Sequence, residues 1–516
     1  MRALYWKGLL VLAGVSSVVY AVNNSYIGFY GPYQVTQYAV GVDPPWEPAT
    51  AVGPYWVHAF ENGNLYTAVW NNNGGGWTVS NGLVGSGTEG ILSVGDGFLA
   101  YDAYRTRYVI VGTDFDLYRS SAYFGASTDG ITWPALSEVL SGPANGPYHP
   151  QNVQGDAAFD YASVAVDNSN PRRIIVGAVL YQSKPSTTQC LGYYINISLD
   201  GGSTWSGPTQ VAAPNGPGPA PLRWGINARV VAAGNQFFVF LPELAAGSEF
   251  QPLAVYYYAE TSTGWTLNGP IIDFSLHPPL NNTPSGELPT PVYYAPLIDA
   301  SGSDSGTWAV SFQARTGGSY QYNNVYECSG TATTSNGCWA VNAWPVDQFM
   351  NGVNVDWMGG VWVSYLGFSA NYQYKLLHQV QYFPPGGVCG SYAWCGTTGD
   401  SNVDPRSWTL DSQADRCGSS CYAMGDYARI GSNGGNPTDS SLGISAPYVN
   451  FSSAAKQLFQ VFYYDPPGTM SRNSFVPNAI YYPPGTTLPG PSTPNPPETL
   501  GIAPELRRKP PGFNHM

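Results

Sequence analysis

The sequence predicts an all-β fold, a β-propeller of four-stranded antiparallel blades, seven in number with six as the alternative. Three observations predict it: a composition rich in turn-forming and aromatic residues, a strand-turn-strand unit that recurs seven times, and the lack of long amphipathic helical stretches. Gly 61, Pro 44, Tyr 38 and Trp 16 among 516 residues favour short strands and tight turns. Aromatic side chains fit a pleated surface, while Gly and Pro punctuate it.

The recurring unit is a strand, a polar turn, a second apolar strand, and a turn-rich stretch closing on Trp. The second strands are read at Leu65–Trp70, Tyr108–Val111, Ile174–Leu180, Phe237–Phe240, Trp308–Phe312, Val361–Tyr365 and Leu458–Tyr463. Closing tryptophans follow six of them, at Trp77, Trp133, Trp205, Trp265, Trp339 and Trp408, about 55 to 75 residues apart. Such a sheet cannot bury both faces alone, so the units are expected to stack radially. The last unit lacks its Trp, and the alternating segment Tyr33 to Val42 is expected to complete it. A two-sheet sandwich is the competing architecture.

Residues 1–21 read as a signal peptide: Arg2 and Lys7 lead an apolar run, Gly8 to Val19, that closes on Val19-Tyr20-Ala21. The run is short of the roughly 20 residues a spanning helix needs, and an uncleaved anchor is the alternative. Residues 22–482 are then the propeller. Residues 483–516 read as a Pro-rich extended tail ending in Arg507-Arg508-Lys509 and two prolines, with a floppy terminus as the plain reading.

Charged residues make up only 10 % of the chain, against roughly 25 % in ordinary soluble proteins. A low-charge surface suits acidic extracellular surroundings, where protonated carboxylates would leave basic residues to repel one another. With net charge −13 and no basic stripe, nucleic acid is disfavoured as a partner, as is an anionic lipid surface. Neither a cofactor nor a metal is called for. The cysteines are Cys190, Cys328, Cys338, Cys389, Cys395, Cys417 and Cys421. In an exported chain a disulfide is expected between Cys328 and Cys338 across a hairpin, with the last four paired among themselves and Cys190 left over. A metal site at the last four is the alternative, against which stand their spacings and the lack of a nearby His. Four Asn-x-Ser/Thr sequons, at Asn23, Asn196, Asn281 and Asn450, fit an exported protein, although Asn196 falls in an expected strand.

Two closing turns carry a sharper signature. Ser198-Leu199-Asp200-Gly201-Gly202-Ser203-Thr204-Trp205 fits the pattern Ser-x-Asp-x-Gly-x-Thr-Trp at every fixed position, and Ser127-Thr128-Asp129-Gly130-Ile131-Thr132-Trp133 is the same box one residue shorter. The carboxylate can accept turn N–H groups, Gly supplies a positive φ, and Trp packs on the blade. On these boxes the chain resembles the sialidase-like, BNR (Asp-box) repeat propeller superfamily. The resemblance implies structural roles at the outer rim for Ser127, Asp129, Trp133, Ser198, Asp200, Gly202, Thr204 and Trp205.

It also implies a secreted protein acting on or binding a glycan, an exo-sialidase-like glycoside hydrolase if an enzyme. Sialidases use three arginines to clamp a carboxylate, a Tyr activated by a Glu, and an Asp acid/base. This chain departs from that set: the early Arg-Ile-Pro element is absent, and no Arg lies between Arg2 and Arg105. A non-catalytic adhesion or envelope protein is therefore the alternative. The candidates are residues expected to lead first strands into the central channel. Asp160 and Asp426 are candidate acid/bases and Tyr427 a third catalytic group, with Tyr161, Arg229 and Arg429 as substrate ligands. Their plain reading is turn-capping carboxylates paired with arginines. Tyr326-Glu327 is similar to a Tyr/Glu pair, although Cys328 favours a structural hairpin. His149, His277 and His378 read as solvated loop residues.

Overall fold

A computed structural model describes residues 26–39, most of 46–383, and short stretches of 397–482. Outside the described residues lie, among others, 1–25, 183–189, 214–222, 245–251, 274–297, 316–322, 384–396, 410–429, 433–456 and 483–516. The expected signal peptide and tail fall there. So do Asp426, Tyr427, Arg429, His277, the four downstream cysteines, and the sequons at Asn23, Asn281 and Asn450.

The described residues form strands and turns without a helix, in seven sheets. The first comprises Trp46–Val52, Trp56–Glu61, Leu65–Asn71 and Gly76–Val79. The second comprises Gly90–Asp102, Arg107–Asp114, Ala122–Ser127 and Leu136–Leu140, with Val84–Gly87 added. The third is Ala157–Asp167, Arg173–Gln182, Cys190–Ser198 and Thr209–Ala212. The fourth opens with Arg229–Ala233 and runs through Gln236–Leu244 and Pro252–Thr261 to Gly264–Asp273. The fifth is Ile298–Gly302, Thr307–Arg315, Asn323–Thr331 and Thr334–Ala340. The sixth contains Gln348–Val355, Val361–Phe368 and Lys375–Phe383. The seventh pairs Ile430–Ser432, Gln457–Val461 and Ser471–Tyr482 with the N-terminal strand Tyr26–Ala39.

Sheet pairing is antiparallel throughout the described residues, except where Leu136–Leu140 meets Val84–Gly87 in parallel. Tyr26 lies opposite Tyr482 and Ala39 opposite Ser471, so the two ends of the described chain share a sheet. The N-terminal segment thus completes the last unit, over a longer strand than the alternation suggested.

Why these sheets assemble is visible in strand Arg173–Gln182. Side chains alternate across a strand, so Ile174, Val176, Ala178 and Leu180 pack with Phe124 and Val139 of the second sheet. Ile175 and Val179, on the opposite face, pack with Val230, Phe237 and Val239 of the fourth. Each core therefore lies between successive sheets, as Trp308, Val310 and Phe312 do against Phe238 and Phe240. A fully buried side chain of this size contributes about 1.5–3 kcal/mol.

The first strands touch in order. Trp46–Val52 meets Gly90–Asp102, which meets Ala157–Asp167, then Arg229–Ala233, Ile298–Gly302, Gln348–Val355 and Ile430–Ser432, which returns to Trp46–Val52. They line the inside of a ring. One assignment within the repeat is corrected: Leu65–Asn71 is the third strand of its sheet, and Trp56–Glu61 is the second. The buried polar His58 and Glu61 break the apolar run that marks second strands elsewhere. In the fifth sheet Cys328 and Cys338 are cross-strand partners joined by a disulfide, as expected. Cys190 is buried and free.

Candidate functional site

Hairpins joining first and second strands gather at one end of the ring: Gly234 N–H donates to Ser303 O at 2.9 Å, tying the fourth sheet's tip to the fifth's. The opposite end, where inner strands enter, carries the candidate site. There the inner strands bulge, letting two residues oppose one and re-aiming side chains. The register slips between Gly95 and Phe98, Asp160 and Ser163, and Phe349 and Gly352. At the first two bulges, Asp96 and Tyr161 adopt φ of 48° and 52°. Asp tolerates this left-handed region; a bulky Tyr there is strained, as residues at binding sites often are.

Asp160 and Tyr161 are half-buried, and Asp160 Oδ1 accepts the Tyr161 N–H at 2.8 Å. Asp96, also half-buried, accepts the Thr113 hydroxyl at 3.2 Å, and its N–H donates to Glu61 Oε2 at 3.0 Å. Their strands are neighbours and each is bulged at these residues, so two carboxyls and a phenol are carried by adjacent bulged strands. Such a set can hydrogen-bond a polyol, and one carboxyl can move a proton. Asp96 escaped the sequence reading, although Gly95-Asp96 repeats the Gly-Asp pairs at 155–156 and 425–426. Asp156 has a structural contact, accepting the Ala144 N–H at 2.8 Å.

Arg229 opens its inner strand at this same end, and the next residue, Val230, donates its N–H to Ser163 Oγ at 3.1 Å, where the second bulge closes. Arg229 is 1 % exposed, its Nε 3.6 Å from Asp299 Oδ1 and its guanidinium 5.3 Å from the centre of the Phe98 ring. These partners come from the second and fifth sheets, so Arg229 spans the ring interior. Asp299 in turn accepts the Val353 N–H at 2.9 Å. Arg229 therefore ties inner strands of the second, fourth and fifth sheets together beside the bulges.

Tyr326 stacks on Phe312 at 5.7 Å in the fifth sheet's interior, and Glu327 is buried beside it. Burial pushes the Glu327 carboxyl up to about 8, with a bond from Ser329 pulling the other way. This supports the hairpin reading over an activated Tyr/Glu pair. His149 is half-buried, its ring nitrogens 3.1 Å from Ser141 O and 3.3 Å from Val153 O. It staples the 141–156 loop, a correction to its reading as solvated. Asn196 is fully buried and donates to Val139 O at 2.7 Å, so its sequon is closed in the folded chain.

Both boxes turn between third and fourth strands. Asp129 Oδ1 accepts the Ser127 hydroxyl and the N–H groups of Ile131 and Thr132, while Ser127 Oγ accepts the Gly130 N–H. The turn bonds outweigh partial burial and hold Asp129 down at about 2. Asp200 likewise accepts from Ser198, Ser203 and Thr204, and lies well below the usual carboxylate range. Each Trp reaches back to the preceding sheet: Trp133 Nε1 donates to Thr67 Oγ1 at 2.8 Å, and Trp205 meets Phe124 edge-on at 5.2 Å. Gly202 has φ 94°, and a Cβ there would sit 2.3 Å from the Phe124 ring. Among the described residues, no group of three or more His, Cys, Asp or Glu side chains could hold a metal.

No family model matches the chain, and no curated protein does. Solved structures do. An ulvan lyase of polysaccharide lyase family PL25 shares 10 % identity over 82 % of this chain and 93 % of that one, with TM-score 0.43. Trypanosoma rangeli sialidase in complex with the inhibitor DANA shares 10 % over 67 % of this chain and 58 % of that one, with TM-score 0.39. An α-L-arabinanase of Penicillium chrysogenum complexed with arabinobiose shares 14 % over 65 % and 94 %, with TM-score 0.38.

Proposed function

We propose that residues 22–482 form a seven-bladed sialidase-like propeller, secreted after loss of residues 1–21, that binds and hydrolyses glycans at the strand-entry mouth of its ring. The observation that carries this reading is the pair of bulges at which adjacent inner strands carry Asp96, Asp160 and the strained Tyr161. Asp160 is assigned the acid/base role, Asp96 that of the second carboxylate, and Tyr161 a ligand role. Asp426, Tyr427 and Arg429, which precede strand Ile430–Ser432 and repeat the Asp-Tyr-Ala of 160–162, are assigned to the same mouth. Paired carboxylates at a glycosidic bond are the working parts of glycoside hydrolysis. The Cys328–Cys338 disulfide accords with an oxidising extracellular setting.

The test is hydrolysis of aryl glycosides, a sialoside included, at acidic and neutral pH. Asp160→Asn is expected to lower kcat/KM about a hundredfold or more on the accepted substrate, and Asp96→Asn to impair it as well. Activity untouched by both substitutions removes the assignment. The buried Arg229–Asp299 pair favours a second reading, a non-catalytic platform whose channel is packed shut. Failure to cleave any member of the panel supports that reading.

A further inference from the structure

Beside the bulge, the loop after strand Arg107–Asp114 exposes two aromatic rings, Phe115 at 48 % and Tyr118 at 51 %. Exposed aromatic rings can serve as a binding face when the backbone that carries them is held in place, and here it is held. The Asp114 carboxylate accepts the N–H groups of Asp116 at 2.9 Å and Ser121 at 3.0 Å, and the Tyr123 hydroxyl at 3.1 Å. Asp116 Oδ1 accepts the N–H groups of Tyr118 at 2.8 Å and Arg119 at 3.2 Å. The Phe115 ring rests on Gly95, where a Cβ would come within 2.4 Å of it, so a Gly on the inner strand makes room for the ring. The loop backbone is therefore held in place, with the Phe115 ring against Gly95, the neighbour of Asp96, and Tyr118 three residues further along the same loop.

The charge around them is one-sided. Glu61, Glu89, Asp96, Asp114 and Asp116 lie about the loop, and Arg119 is engaged by Glu89 at 3.3 Å and Asp116 at 3.6 Å. Among the described residues of this corner, Arg119 is thus held by two carboxylates instead of being presented to a ligand.

We propose that Phe115 and Tyr118 form a stacking platform for a neutral glycan, and that the acids around it select against anionic sugars such as sialosides and uronates. Aromatic faces take the apolar face of a pyranose or furanose ring, and carboxylates accept from its hydroxyls. A sugar carboxylate brought to this corner meets like charge, which specificity exploits as readily as attraction. The proposal rests on the carbohydrate reading above and narrows its substrate class.

The test is affinity electrophoresis of the full chain in gels holding soluble arabinoxylan, a neutral polymer, or polygalacturonate, an anionic one. Arabinoxylan is expected to retard the protein, and polygalacturonate to leave its mobility unchanged. Phe115→Ala and Tyr118→Ala should each weaken retardation about tenfold, equivalent to ~1.4 kcal/mol, with the fold kept and the thermal midpoint moved only slightly because both rings are about half exposed. Phe115→Tyr should retain it. Unchanged affinity for arabinoxylan in both alanine variants overturns the platform while leaving carbohydrate binding intact. Stronger retention by polygalacturonate overturns the charge selection. Retardation by neither polymer, with no hydrolysis of the aryl glycosides, refutes the carbohydrate reading and the platform with it.

Discussion

Single carboxyls divide into two groups by what surrounds them. Asp129 accepts turn N–H groups and is held at about 2, while Asp304 is pushed up to about 6 by burial and by the Asp167 carboxylate. The folded state thus holds the Asp304 proton more tightly than the unfolded chain does. Its stabilising contribution is complete below about pH 4 and is lost as pH rises to about 6. Burial of His58 acts oppositely: its lowered value favours the folded state above the ordinary His range and is lost on acidification. Substituting one residue separates the two. Asp304→Asn should stabilise the protein on the order of 2 kcal/mol at pH 7 and leave it nearly unchanged at pH 4, as read from urea unfolding at both pH values. An equal effect at both would show that the Asp304 carboxyl is not shifted. Asp129 and Asp200 were legible as structural from sequence because a box is local: donor, acceptor and Gly lie within eight residues. Asp304 was not, since its partner Asp167 lies two sheets away.

At the scale of strands and hairpins, one device recurs. Asp102 and Asp167, both fully buried, end inner strands, and each lies opposite an Arg that begins the second strand, Arg107 and Arg173. Arg107 bonds Asp102 at 3.1 Å and also donates to Gly201 O in the next sheet's box. Arg173 lies 3.9 Å from Asp167 and pairs with Glu260, at the corresponding turn of the sheet after. The hairpin of one sheet thereby clasps the outer turn of its successor. Arg107→Ala should cost about 1–3 kcal/mol in chemical denaturation, less than the roughly 3–5 kcal/mol of a fully broken buried pair because Arg105 still reaches Asp102 at 3.0 Å. A change within a few tenths would show the clasp to be idle. Strand periodicity made most second strands legible. It misplaced Leu65–Asn71 because His58 and Glu61 sit in an apolar position pattern whose burial depends on neighbouring sheets.

The molecule as a whole follows from faces that cannot be hidden in pairs. Ile174 and Ile175 are adjacent, both buried, and belong to cores shared with different neighbours. That requirement, repeated from sheet to sheet, leaves an open stack with two greasy ends unless the chain closes on itself. Closure falls to the first and last described strands. The repeat and the alternating N-terminal segment made this legible in the sequence. The mouth was less so, because its bulges arise from register between strands and not from composition.

The most direct test of the ring is a pair of cysteines at Phe29 and Ala479, which lie opposite one another in the closing sheet. Under mild oxidation, Phe29→Cys/Ala479→Cys should form an intramolecular disulfide in high yield, seen by peptide mass mapping of the monomer, and raise the unfolding midpoint. A monomer in which those two thiols stay unlinked, or link only between molecules, would contradict the closed ring.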